Sequence, residues 1–122
     1  MTETGKLTIS AVLATRGRGE RLQAVLLGLL AQEALEEVIV VLDGTEDASF
    51  EVARELASHD ARLKPLWVSH RGQFGALHAG IEAASSDVIW ILDDDVAPSP
   101  GVAAGHLAHH ESEDHLVVVG YM

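Results

Sequence analysis

Apolar residues recur along the chain at two spacings that take turns. LTISAVLA (7–14) is almost continuously apolar, the pattern of a strand covered on both faces. After the break TRGRGE, the residues Leu22, Val25, Leu26, Leu29 and Leu30 fall on one helical stripe. EVIVVL (37–42) is a second strand, closed by the turn signal DGT. Asp47 is placed to cap a helix running to about Ser58, with Val52, Ala53, Leu56 and Ala57 inward. LKPLWV (63–68) is a third strand, and Pro65 within it argues for an edge or irregular position. A helix starting near Gly75 carries Leu77, Ile81 and Ala84 on one side, and DVIWIL (87–92) is a fourth strand. Pro98 and Pro100 open a helix reaching His110, and HLVVVG (115–120) reads as a fifth strand.

Strand and helix alternating at these lengths predict an α/β fold, Rossmann-like, with a mostly parallel sheet of about five strands flanked by helices. Residues 1–122 are expected to form a single domain, since a chain of this size buries roughly two thirds of its unfolded surface. In such a sheet ligands bind beyond the carboxyl ends of the strands. Thr15, Asp43, the stretch from His70 to Gly75, and Asp93–Asp95 all follow strand ends and so belong to one rim.

Charge narrows the functions. Asp and Glu number 19 against 8 Lys and Arg, giving net charge −11, which argues against nucleic acid and anionic lipid as partners. The longest greasy stretch, 22–30, is far below the ~20 residues a spanning helix needs, so the chain is not expected to cross a membrane. No secretory signal is visible at Met1–Lys6, and with no cysteine the chain suits a reducing, cytoplasmic setting.

Against that acidic background, ILDDD (91–95) sets three carboxylates behind a buried strand. In extended backbone Asp93 and Asp95 share a side while Asp94 points away. Two converging carboxylates raise each other's pKa unless a cation sits between them, and Mg2+ is characteristically held by one or two carboxylates together with substrate phosphates. Asp43 adds an acceptor for a base N–H or a ribose hydroxyl, and among the arginines that suit a diphosphate Arg71, near the rim, is a slightly better candidate than Arg16, Arg18 and Arg21.

TISAVLATRGRGERLQAVLLGLLAQ, VIVVLDGTED and GQFGALHAGIEAASSDVIWILDDD, each at a predicted strand end and in this order, resemble the N-terminal part of family-two glycosyltransferases. That resemblance covers Leu7 to Gly120 and implies the GT-A fold, a nucleotide-diphospho-sugar donor and transfer of its sugar to an acceptor hydroxyl. It implies that Thr15, Asp43, Arg71, Gly75, Asp93 and Asp94 bind the nucleotide-sugar. It further implies that Asp95, with Asp93, holds Mn2+ or Mg2+. Ala14, Leu42 and His78 stand where the family commonly has Pro, Asp and Asn. The family places its acceptor site and general base after the fifth strand, beyond residue 122. The chain is therefore expected to be a donor-binding half, with an exposed sheet edge that favours self-association.

Other readings remain open at this level. Gly17-Arg18-Gly19 and Asp43 suit a nicotinamide-dinucleotide-binding unit, except that Leu22 replaces the third glycine. A non-catalytic nucleotide-binding or assembly module is a further alternative. His106 and His110 at i, i+4, with His109 beside them, have metal-ligand spacing but lack the H-E-x-x-H pattern. Taken singly, Thr15 is a common helix-capping residue and Asp43 a common turn former before Gly44.

Overall fold

Every residue of β1 (Ile9–Thr15) is buried, as its unbroken apolar pattern requires. The computed structural model describes residues 7–15, 19–44, 48–69, 71–92, 101–105 and 108. Within them the order is β1, α1 (Gly19–Leu30), β2 (Leu35–Asp43), α2 (Ala48–Ala57), β3 (Leu63–Val68), α3 (Gly72–Ala83) and β4 (Val88–Leu92). The strands form one sheet in the order β3-β2-β1-β4, and every pairing is parallel. Four strands are thus present among the described residues. The expected fifth, 115–120, lies outside them, as do Asp47, Pro98, Pro100, His106, His109 and His110. Residues 102–105 are helical, in the stretch where a helix was expected.

Strand alternation divides the core in two. On one face Ile9, Ala11 and Leu13 of β1, Val38, Val40 and Leu42 of β2, and Val88, Trp90 and Leu92 of β4 meet Leu22, Val25, Leu26 and Leu29 of α1. The helical stripe seen in the sequence is therefore the buried one, with Leu30 at its margin. From α2, Ala53 and the polar Ser49 are fully buried, while Val52, Leu56 and Ala57 lie half-buried. On the opposite face Val12, Ala14, Ile39, Val41 and Val68 pack against Ala76 of α3.

Pro65 sits in β3, the edge strand beside β2, where a missing backbone N–H costs least.

α3 departs from expectation. It starts at Gly72, its buried residues are Ala76 and Gly80, and Ile81 is 37% exposed. The helix approaches the sheet most closely through its smallest residues, with Leu77 and Ala79, and Ala84 just past its end, packed beside them as partly buried neighbours. A Cβ on Gly80 would stand 2.6 Å from Val12 Cγ1 and 2.9 Å from Val41 Cγ2. Periodicity that follows large apolar residues misses a contact of this kind.

The foot of the sheet, at the amino ends of the strands, is tied by two polar knots. Arg62 donates to the carbonyls of Gln32 and Leu35, at 3.2 Å each, and of Leu30, closing the carboxyl end of α1 where carbonyls lack helical partners. Its guanidinium also pairs with Asp60 at 2.9 Å. The second knot is Glu37, 2% exposed within β2. A register shift between Ile9 and Ser10 sets Glu37 opposite Ser10. Its carboxylate accepts Ser10 Oγ at 2.6 Å, Lys64 Nζ at 2.6 Å and the Ser85 N–H at 2.9 Å. Burial works to raise the Glu37 pKa, but the bonds from Lys64, Ser10 and Ser85 together outweigh it and bring the carboxyl down to about 2.

Among the described residues no helix is long and apolar enough to cross a membrane.

Candidate functional site

Because all four strands run the same way, their carboxyl ends share one rim. Thr15, the last residue of β1, pairs in register with Leu42, and Asp43, the last of β2, pairs with Val68 at the end of β3. Leu92 closes β4 immediately before Asp93. The placement expected of Thr15, Asp43 and Arg71 on one rim is therefore observed. Asp93, Asp94 and Asp95 lie outside the described residues, and so does His70.

Asp43 is the organising residue of the described part. It shares a face of β2 with Glu37, Ile39 and Val41, the face that α3 covers. Only 6% exposed, it accepts the Arg71 N–H on Oδ1 at 3.0 Å and the Gly72 N–H on Oδ2 at 2.7 Å. Arg71 is right-handed (φ −91°, ψ −14°) and Gly72 has φ +75°, a value other residues rarely adopt. This alternation aims successive N–H groups into one concavity suited to an anion. The anion that fills it is the Asp43 carboxylate, delivered from the end of the neighbouring strand.

Arg71 itself is exposed, and among the described residues its guanidinium makes no ion pair. Its side chain runs back over Gly75: a Cβ built there would meet Arg71 Cβ at 2.9 Å, Cδ at 3.7 Å and Cγ at 3.9 Å. Gly75 thus makes room for the arginine stem. Asp43, Arg71 and Gly75 form one corner of the rim. Thr15, 2% exposed, stands at the end of β1, beside β2.

Two contributions were not read from the sequence pattern: the backbone role of Gly72 within the rim stretch, and the buried acid Glu37 at the foot of the sheet. Gly72 matters through a backbone N–H and a positive φ, neither of which leaves a periodic trace. Glu37 looks like the polar start of a strand, and only the pair Glu36-Glu37 ahead of an apolar run hinted at a buried acid. A cavity of about 390 Å3, whose lining includes Gly28, Gln32, Glu33, Ala34 and Gly101, lies by the carboxyl end of α1, away from the rim, and contains none of the expected ligand groups. Among the described residues no cluster of three or more His, Asp or Glu is arranged to hold a metal.

Comparison with known proteins places this rim in context. Residues 10–122 match the model of the family described as "Glycosyl transferase family 2". The chain is 31% identical over 91 residues to the "Uncharacterized glycosyltransferase alr2836" of Nostoc sp. (strain PCC 7120), covering 73% of this chain and 28% of that protein. Among solved structures it resembles the mannosyltransferase PcManGT of Pyrobaculum calidifontis in complex with GDP-Man and Mn2+. That match has a TM-score of 0.72 at 20% identity and covers 85% of this chain and 32% of the other. S. aureus TarS 1–349 in complex with UDP matches at a TM-score of 0.75 and 18% identity, covering 87% of this chain and 32% of the other. The chain spans about a quarter to a third of the length of these proteins.

Proposed function

The chain belongs to glycosyl transferase family 2, and from that premise we infer that it binds a nucleotide-diphospho-sugar across the strand ends, for transfer of the sugar to an acceptor hydroxyl. The observation carrying this reading is the rim: four parallel strands delivering Thr15, Asp43 and Arg71 to one edge, with β4 leading directly into Asp93–Asp95. Two fold neighbours support it, one solved with GDP-Man and Mn2+ and the other with UDP.

In this reading residues 1–122 are one domain supplying the donor side. Thr15, Asp43, Arg71 and Gly75 frame the nucleotide, and Asp93 and Asp94 reach the sugar-nucleotide. Asp95, with Asp93, holds Mn2+ or Mg2+. The ion's contribution is charge neutralisation on the diphosphate as it leaves. In the transfer the bond from the sugar's anomeric carbon to the diphosphate oxygen breaks, and its electron pair leaves with the nucleoside diphosphate. The acceptor oxygen forms the new bond and gives up its proton to a base that no residue of 1–122 is assigned to supply. On an acidic chain, the exposed Arg71 guanidinium is the complementary charge for a diphosphate. The same acidity disfavours nucleic acid as a partner.

The test is calorimetric titration of the 122-residue chain with UDP, GDP, ADP and CDP, with and without Mn2+. Binding of at least one nucleotide is expected to need the ion and to weaken at least about tenfold in Asp95→Ala. Failure of every nucleotide to bind, or indifference to both the ion and the substitution, overturns the reading.

A further inference from the structure

Asp43 was expected to meet the nucleotide, yet its carboxylate is already engaged. Each oxygen takes a backbone N–H, from Arg71 and from Gly72, and the side chain is all but closed to solvent. What remains open at this corner is the guanidinium of Arg71. Three features bear on where that cation stands. The carboxylate pins the Arg71 backbone from the end of the neighbouring strand, and Gly72 at φ +75° supplies the turn that aims both N–H groups at it. The absent side chain of Gly75 then leaves the groove along which the arginine stem lies.

We propose that Asp43 is a positioning residue, which by filling the backbone concavity at the start of α3 fixes Arg71 to receive the diphosphate of the donor, and that Gly75 completes the mount. The inference rests on the donor-binding function stated above and assigns a division of labour within it. An anion built into the protein occupies the backbone N–H groups, so phosphate recognition at this corner falls to a side chain. Arginine suits that task because its planar fork accepts two phosphate oxygens at once. An asparagine at position 43 retains one acceptor oxygen but turns an NH2 group toward the second backbone donor, which breaks the mount while preserving side-chain volume.

Inorganic pyrophosphate with Mn2+ is the discriminating probe, because it has the phosphates and no base. On the full chain, Asp43→Asn is expected to weaken pyrophosphate, UDP and GDP by one common factor of about tenfold, the loss of a charge-assisted contact. In an Arg71→Ala background the same substitution should add nothing, since the group it positions is gone. Gly75→Ala sets a methyl 2.9 Å from Arg71 Cβ, so the arginine stem must leave its groove, and the variant, shown by a thermal melt to remain folded, should bind pyrophosphate more weakly than the parent chain.

A loss that persists undiminished beside Arg71→Ala overturns the proposal. So does a loss confined to one base with pyrophosphate unaffected, which would make Asp43 a base contact. Full pyrophosphate binding by Gly75→Ala removes the mount, and with it the proposal. If the unmutated chain binds neither pyrophosphate nor any nucleoside diphosphate, the donor-binding function itself fails. Binding by the parent chain with unaffected variants refutes only the positioning role.

Discussion

β2 ends in a carboxylate at its head and begins with one at its foot, both on the face covered by α3. At the foot Glu37 accepts the N–H of Ser85, just past the end of α3; at the head Asp43 accepts those of Arg71 and Gly72, at its beginning. The helix is therefore held at both ends by one strand, with Gly80 pressed onto Val12 and Val41 between them. The surroundings separate the two acids. Glu37 has Lys64 and Ser10 as further partners, so its charge is answered within the fold. Asp43 has only backbone donors in the bonds described above, and the cation next to it faces outward. Similar chemistry closes the structure at one end and equips a surface at the other.

The largest expected effect breaks the foot alone. Glu37→Ala leaves the Ser85 N–H and the Ser10 hydroxyl without their buried acceptor, while Lys64, whose side chain is 57% exposed, can turn to water. Urea unfolding should show a loss of about 2–4 kcal/mol. Pyrophosphate affinity measured on the folded variant should stay unchanged; an equal fall in affinity would mean that the two ends are not separable.

A smaller effect is expected midway between them. Gly80→Ala places a methyl against two stiff valines, costing about 1–3 kcal/mol, offset by about 1 kcal/mol of helix propensity. A thermal melt at or above the parent's would show that α3 can ride outward freely.

Acid sharpens the contrast further. The folded Glu37 carboxyl titrates near 2, below its ordinary 4.5. Its contribution to stability is therefore fully present above about pH 4.5 and is lost as pH falls toward 2. Glu37→Gln should flatten the unfolding free energy across that window. Lys64→Met should cost about 1–3 kcal/mol, because the buried Glu37 carboxylate keeps Ser10 and Ser85 as donors but loses its cation.

Much of this frame was legible in the sequence. The four strand positions followed from apolar runs between turn signals, Pro65 marked the edge, and parallel order alone put Thr15 and Asp43 on one rim. α3 was read in part: Leu77 and Ala84 pack against the core as expected, but Ile81 faces outward and the closest contact is made by Ala76 and Gly80, small residues that carry no hydrophobic period. The partners of Asp43 were invisible for another reason. They are backbone N–H groups, which every non-proline residue has, and only the turn at Gly72 selects two of them. The acid cluster 93–95, which raised the functional question most sharply, lies outside the described residues, so its role rests on the motif and on the experiments above.

Glu37 and Asp43 stand an even number of positions apart. A side chain switches faces at each step along a strand, so gaining or dropping a single amino acid between them would swing one tether to the far side and unmoor the helix at that end. Length changes in this stretch should be tolerated only in multiples of two, a parity rule written into the backbone well away from any ligand.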